Sequence, residues 1–309
     1  MKKYAAIYTE VLPEAFRWTP QNPLSGTTKS YVRVAEELAK RGYTVHVEYD
    51  GPAQVHNDVL YGGRVAFERD AHNLVIDMNY TGPVGSVATT GGACLQWTSL
   101  YNRPDLCNGL GSDGVPYRGL VIISDFIAST LSHAAKCPLV VNELGCDEAV
   151  LTDPEPRGDV CCYTSSPDRG GHFLQEMWPR VEAATGYRLE CSAYGDEFTP
   201  EQMTALYRRS RFWVYPALGT DSVLSTLEAQ ANGCIPFYVP HMGLPETVRY
   251  GASSDLFRFE ANLIQMLNDY KAPGRWDGAM LVRSTMLKSR PIPTWAQYVD
   301  RLLSAAGVA

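Results

Sequence analysis

The sequence predicts an α/β protein of two similar-sized domains, each a mainly parallel sheet covered by helices, with a cleft between them. Three observations carry that expectation. Short apolar runs alternate with helix-period patterns along the chain, which is how βα units read. A polar, proline-rich segment at 152–159 (TDPEPRGD) interrupts the alternation, which then restarts. The 309 residues suffice for two cores of ordinary size. The expected division is 1–151, 152–290 and a C-terminal helix within 291–309 that returns toward the first domain.

In the first half, 4–9 reads as a strand. After a proline-rich loop, 27–41 reads as a helix whose Tyr31, Val34, Ala35 and Leu38 form one stripe and which Gly42 closes. Strands follow at 44–49, 73–78 and 119–124, then a helix at 125–135 and a short strand at 138–142. Beyond the interruption, strands are expected at 160–164, 187–193, 211–215 and 234–239, and helices at 170–185 and 200–209. A further helix opens near Val223 and stops at Gly233. A last amphipathic helix, 293–306, turns Trp295, Val299, Leu302 and Leu303 to one side.

Composition excludes several classes. Hydrophobic content of 45% with 20% charged residues belongs to a globular chain, not a disordered one. A net charge of −7 argues against a broad nucleic-acid or anionic-lipid footprint, and Arg208, Arg209 and Arg211 read as a solvated helix end. No apolar run approaches the roughly 20 residues needed to cross a bilayer. The N-terminus meets Glu10 before any secretory core could form, so a cytoplasmic location is expected. The eight cysteines show no CxxC spacing and read as reduced, mostly buried thiols. The six histidines show no zinc-ligand spacing, and no metal is expected.

The chemistry concentrates in 215–246 (YPALGTDSVLSTLEAQANGCIPFYVPHMGLPE). A strand runs into a loop, Asp221 or Ser222 can cap the next helix, and Glu228 stands inside it. Unpaired N–H groups of Ser222, Val223 and Leu224 at that helix start would suit a diphosphate. A carboxylate further along the helix can reach a ribose hydroxyl while the preceding loop meets a sugar. GTTKS at 26–30 lacks the glycines of a P-loop, and no GxGxxG follows the first strand, so a dinucleotide dehydrogenase is not supported.

Three segments together resemble the GT-B-fold glycosyltransferases of family four. They are 162–181 (CYTSSPDRGGHFLQEMWPRV), 205–216 (ALYRRSRFWVYP), and Leu227-Glu228-Ala229 with 243–248 (GLPETV). In the first half the resemblance is thinner: Leu24-Ser25-Gly26 stands where the family has a Gly-rich loop, and 121–126 (VIISDF) is similar to a late strand. The resemblance implies two Rossmann-like domains facing a cleft. It further implies metal-independent hexosyl transfer with retention from a nucleotide sugar, most simply a UDP- or GDP-sugar. No other cofactor is implied.

On the same resemblance, Arg169 stands at the family's lysine position and faces the leaving diphosphate, and Glu228 is the glutamate that holds the ribose. Two departures stand out. The family's sugar-reading glutamate, eight positions before Glu228, is here Thr220. Asp221 follows it, either substituting through a loop shift or serving as the helix N-cap. The family's second basic residue aligns with Thr164, which leaves one positive charge fewer. Gly26 either lets backbone approach the donor phosphate or is an ordinary loop glycine, and His172 either touches the donor or packs. Two other readings stay open: a nucleotide-sugar-binding protein weakened in catalysis, and a nucleotide-sugar epimerase of the same fold. The acceptor is open among a glycan, a lipid-linked sugar, a protein side chain and a hydroxylated DNA base. Tyr61, Tyr80, Trp97 and Tyr101 are either an acceptor-facing surface or core.

Overall fold

The computed structural model describes residues 3–9, 19–21, 26–48, 52–62, 74–78, 93–98, 117–133, 135, 137–147, 157–165, 167–192, 198–216 and 224–308. The chain divides into two compact units, Met1–Gly145 with Pro293–Ala309, and Cys146–Ile292. Strands of the first unit are β1 (Lys3–Thr9), β2 (Tyr43–Glu48), β3 (Gln54–His56), β4 (Val59–Gly62), β5 (Leu74–Met78), β6 (Ala93–Thr98), β7 (Tyr117–Ile122) and β8 (Leu139–Val141). Those of the second are β9 (Val160–Tyr163), β10 (Arg188–Cys191), β11 (Phe212–Tyr215), β12 (Ile235–Tyr238) and β13 (Ala252–Ser253). The helices are α1 (Gly26–Lys40), α2 (Asp125–Leu131), α3 (Gly171–Thr185), α4 (Pro200–Arg209), α5 (Leu224–Ala231), α6 (Leu244–Thr247), α7 (Phe259–Asp269), α8 (Arg275–Ser289) and α9 (Trp295–Ala306).

The first unit is a single sheet in the order β3-β4-β2-β1-β5-β6-β7-β8, parallel at every pairing except the β3–β4 hairpin. Helix α1 buries Tyr31, Val34, Ala35 and Leu38, the stripe its spacing predicts, and Gly42 ends it at φ 80°. Helix α9 begins with a reciprocal capping box between Thr294 and Gln297. It buries Trp295, Val299, Leu302 and Leu303, and packs on α1, β6 and β7.

The second unit is wholly parallel, in the order β10-β9-β11-β12-β13. Every residue of β9 (VCCY), β11 (FWVY) and β12 (IPFY) is buried. Strands covered on both faces have no solvent side to alternate with, so they read as continuous apolar runs. The core is rich in aromatics, with Tyr163, Tyr187, Tyr207, Phe212, Trp213, Tyr215, Phe237 and Phe259 all nearly inaccessible to solvent. Cys161, Cys162 and Cys234 are buried free thiols, and Cys146 is buried too.

Several elements escape sequence reading. The β3–β4 hairpin turns on Asn57 and Asp58, both at positive φ (47° and 60°), as a two-residue turn matching strand twist requires. Strand β6 and the segment from α6 to α8 are also unforeseen. Helix α8 defeats a periodicity test because it buries Arg283 while Leu281, Val282 and Met286 are exposed. The helix expected over 125–135 ends at Leu131. Tyr61 lies in the core rather than on a surface. Tyr80, Tyr101 and the Trp97 side chain lie outside the described residues.

Candidate functional site

In the second unit, β9 is followed in sequence by β10 on one side of it and, after α4, by β11 on the other. The strand order therefore reverses at β9, and the carboxyl ends of β9 and β11 emerge side by side, in register at Cys161↔Phe212 and Cys162↔Trp213. Open α/β sheets bind ligands outside the strand ends at such a switch point, because the chain departs in opposite directions and leaves a crevice there. Each sequence-predicted residue of this unit lies on a segment leaving one of these two strands.

After β9 the chain passes Thr164 and Ser165 into a single 3₁₀ turn, Pro167–Arg169. Gly170 then adopts φ 101°, a conformation open to glycine at little cost, and starts α3 without a side-chain cap. Gly171 is required by contact: a Cβ there would lie 2.9 Å from the buried Tyr163 ring. That ring stacks on Tyr215 at 6.0 Å between centroids, and Tyr215 on Trp213 at 4.7 Å, forming an aromatic floor beneath the strand ends. Arg169 is exposed and makes no hydrogen bond or ion pair among the described residues; it is not spent on its neighbour Asp168. Its charge reaches the Tyr163 hydroxyl, which burial and Tyr215 push upward while Ser165 and Arg169 oppose the shift.

After β11 the chain enters 217–223, so Thr220, Asp221, Ser222 and Val223 lie outside the described residues. Helix α5 opens at Leu224, whose side chain is buried. A ligand could meet this residue only through main chain. Glu228 is half-buried. The Tyr207 hydroxyl of α4 lies 3.4 Å from Glu228 Oε2 and 3.0 Å from Thr164 Oγ1, and Trp213 Nε1 donates to the same Thr164 oxygen at 3.0 Å. Thr164 is 8% exposed. Its hydroxyl is thus committed to the interior, where a larger basic residue would have to displace Tyr207 or Trp213. Tyr207 itself, completely buried and beside Glu228, has its phenol pushed well above the usual range, chiefly by burial.

The far end of α5 is fastened. Gly233 at φ 86° turns the chain, and Cys234 N donates back to Ala229 O at 2.9 Å. Tyr250 Oη lies 2.9 Å from Gln230 O, Arg283 Nη2 donates to Ala231 O at 3.0 Å, and Arg157 donates to Asn232 O. Arg157 also holds Tyr207 O at 2.9 Å and Ser210 O, so one guanidinium ties the carboxyl ends of α4 and α5 together. Cations at these ends complement the helix dipoles as well as the orphan carbonyls. Sequence reading missed Tyr207, Arg157 and Arg283. For Arg283 the available signal was an arginine on a largely apolar stretch, which becomes informative only once its face is known to be buried; Arg157, in the polar segment 152–159, gave no such signal.

Gly26 is the first residue of α1 in the first unit, exposed, with its carbonyl accepting from Ser30 Oγ at 2.8 Å. His172 is exposed in the first turn of α3. Among the described residues no group of three or more His, Cys, Asp or Glu side chains is placed to hold a metal. No helix of those residues is long and apolar enough to cross a membrane.

No protein-family model matches this chain, and no curated protein sequence does. Solved structures do. The chain is similar to sucrose-phosphate synthase from Thermosynechococcus elongatus at 12% identity and TM-score 0.70, covering 98% of both chains. It is similar to HepE of Anabaena in complex with UDP and glucose at 9% identity and TM-score 0.67, covering 98% of this chain and 99% of that one. An alpha-glucosyltransferase in complex with UDP-glucose and DNA containing an abasic site matches at 9% identity and TM-score 0.63, again over 98% and 99%. At these identities the likeness shows the fold: two Rossmann-like units of the GT-B type.

Proposed function

We propose that this chain is a glycosyltransferase of family-four type, moving a sugar from a nucleoside-diphosphate donor to an acceptor hydroxyl with retention. The observation that supports the reading is that, at the switch point of one parallel sheet, Arg169 follows β9 with no hydrogen bond or ion pair among the described residues, while Glu228, on the helix that follows β11, meets a buried tyrosine. A diphosphate next to a ribose asks for that combination, a positive charge for one and an acceptor for the hydroxyls of the other. The UDP and UDP-glucose complexes of GT-B neighbours agree with it, with a UDP- or GDP-sugar as the donor.

In this reading Arg169 and the main-chain N–H groups of Ser222, Val223 and Leu224 stabilise charge developing on the β-phosphate oxygen. Glu228 binds the ribose, and Thr220 and Asp221 read the transferred sugar. The bond from the anomeric carbon to the diphosphate oxygen breaks and the acceptor oxygen bonds to that carbon on the same face. The acceptor proton passes to the leaving phosphate, so no side-chain nucleophile is required. Neutralisation is assigned to Arg169 and the main chain, without a metal.

The commitment of Thr164 to Trp213 and Tyr207 favours a second reading, a nucleotide-sugar binder with reduced catalytic power, because the site carries one cation fewer than the family it resembles. Calorimetric titration with UDP-, GDP-, ADP- and dTDP-sugars, followed by product analysis against glycan, lipid, protein and modified-DNA acceptors, separates the two. Binding with transfer supports the first and binding without transfer the second. Absence of any nucleotide binding sinks both.

A further inference from the structure

We infer that Tyr207 is a positioning residue that aims the Glu228 carboxylate at its ligand; the inference rests on the nucleotide-site reading above. Counting protons assigns the chain of contacts. Tyr207 has one hydroxyl proton and two acceptors in reach, Thr164 Oγ1 at 3.0 Å and Glu228 Oε2 at 3.4 Å. A charged carboxylate is the stronger acceptor, so the phenol donates to Glu228. Thr164 Oγ1 accepts from Trp213 Nε1 at 3.0 Å, which leaves the threonine's own proton to donate to the Tyr207 oxygen. The order Trp213 to Thr164 to Tyr207 to Glu228 uses each hydroxyl once as donor and once as acceptor.

The chain starts in the strand next to β9, passes the first residue after β9 and ends on α5, so it ties Glu228 to the sheet rather than only to its own helix. A glutamate side chain is long, and each contact that fixes it beforehand lowers the cost of meeting a ribose. The carboxylate has acceptor capacity beyond the Tyr207 bond, with about four lone-pair sites in all. The final contact, at 3.4 Å, is longer than the usual O–H···O distance of about 2.8 Å, and site contacts of this kind shorten when the carboxylate closes on its ligand.

The test measures affinity for UDP and GDP against their 2′,3′-dideoxy analogues by calorimetry, in the full chain. The native protein should prefer the ribonucleotide by tenfold or more, and Glu228→Ala should abolish that preference. Tyr207→Phe should cut it by roughly fivefold, and the double variant should fall no lower than Glu228→Ala alone. Thr185→Val controls for structural damage. The Thr185 hydroxyl donates to Val181 O at 2.7 Å and accepts from Tyr187 N at 3.2 Å, both buried and outside this chain of contacts, so the melting temperature should fall as much while the preference holds. A native protein that binds neither nucleotide overturns the nucleotide reading, and one that binds them but is indifferent to the ribose hydroxyls overturns the ribose role of Glu228 and this inference with it. A native preference that survives intact in Tyr207→Phe, or that falls equally in Thr185→Val, overturns the positioning role alone.

Discussion

Arg169 and Glu228 illustrate two ways a charged side chain is kept ready. Arg169 is exposed at the end of a 3₁₀ turn and has no hydrogen-bonding partner among the described residues, so its removal should not disturb the fold. We expect Arg169→Ala to lower donor turnover by roughly a hundredfold or more, to leave the melting temperature within about a degree of native, as surface changes do, and to be partly rescued by Arg169→Lys. Turnover kinetics beside a thermal melt check this, and near-native turnover would remove Arg169 from the site. Gly171 works by having no side chain. In Gly171→Ala the new Cβ would press on Tyr163, which is buried and stacked on Tyr215 and has nowhere to go. Overpacking of that kind costs about 1–3 kcal/mol, more than the few tenths to about 1 kcal/mol an alanine gains in a helix. The net effect, read in a denaturant melt, should be destabilising.

At the scale of elements, stability and site geometry meet at helix ends. Arg283→Met keeps apolar volume but leaves Ala231 O without its donor, and we expect a loss of about 1–3 kcal/mol. Nucleotide affinity should fall with it if α5 shifts. In the first unit, Arg41 at the end of α1 bonds Glu37 Oε2 at 2.7 Å, Ala296 O at 2.8 Å and Asp300 Oδ1 at 2.7 Å, joining α1 to α9. Burial alone would raise the Glu37 carboxyl, but hydrogen bonds from Lys40 and Arg41 outweigh it and hold the group below the usual carboxylate range. A carboxyl lowered in the folded state contributes stability above its unfolded pKa, and that contribution disappears as pH falls through the folded value. Glu37→Gln should therefore melt below native near pH 7, and the gap should close below about pH 4. A gap that persists at acid pH would mean the charge is irrelevant there.

For the whole molecule, a chain of two compact units need not unfold in one step. If the nucleotide site belongs to the second unit, UDP or GDP should raise the transition of Cys146–Ile292 and leave the other unmoved, by about 2.7 kcal/mol at one hundred times the dissociation constant. Hydrogen exchange resolved along the chain reads this directly, and equal protection of both units would contradict it. The two-part α/β plan was legible in the amino-acid order because parallel strands buried on both faces must be apolar throughout, and α1 and α9 carry their stripe within one short segment. Helix α8 was not legible, since its burial is decided by what packs against it and it buries an arginine. The site divides in the same way. The order of residues offered Arg169 and Glu228 as candidates, through a family resemblance and through their place after a strand and inside a helix, which is local information. Only the tertiary structure could join Thr164, Tyr207, Trp213 and Glu228, since they come from four separate segments. It also decided that Thr164 faces inward, because a hydroxyl's partners depend on which strands lie side by side, and strand order is not written in any one stretch of chain.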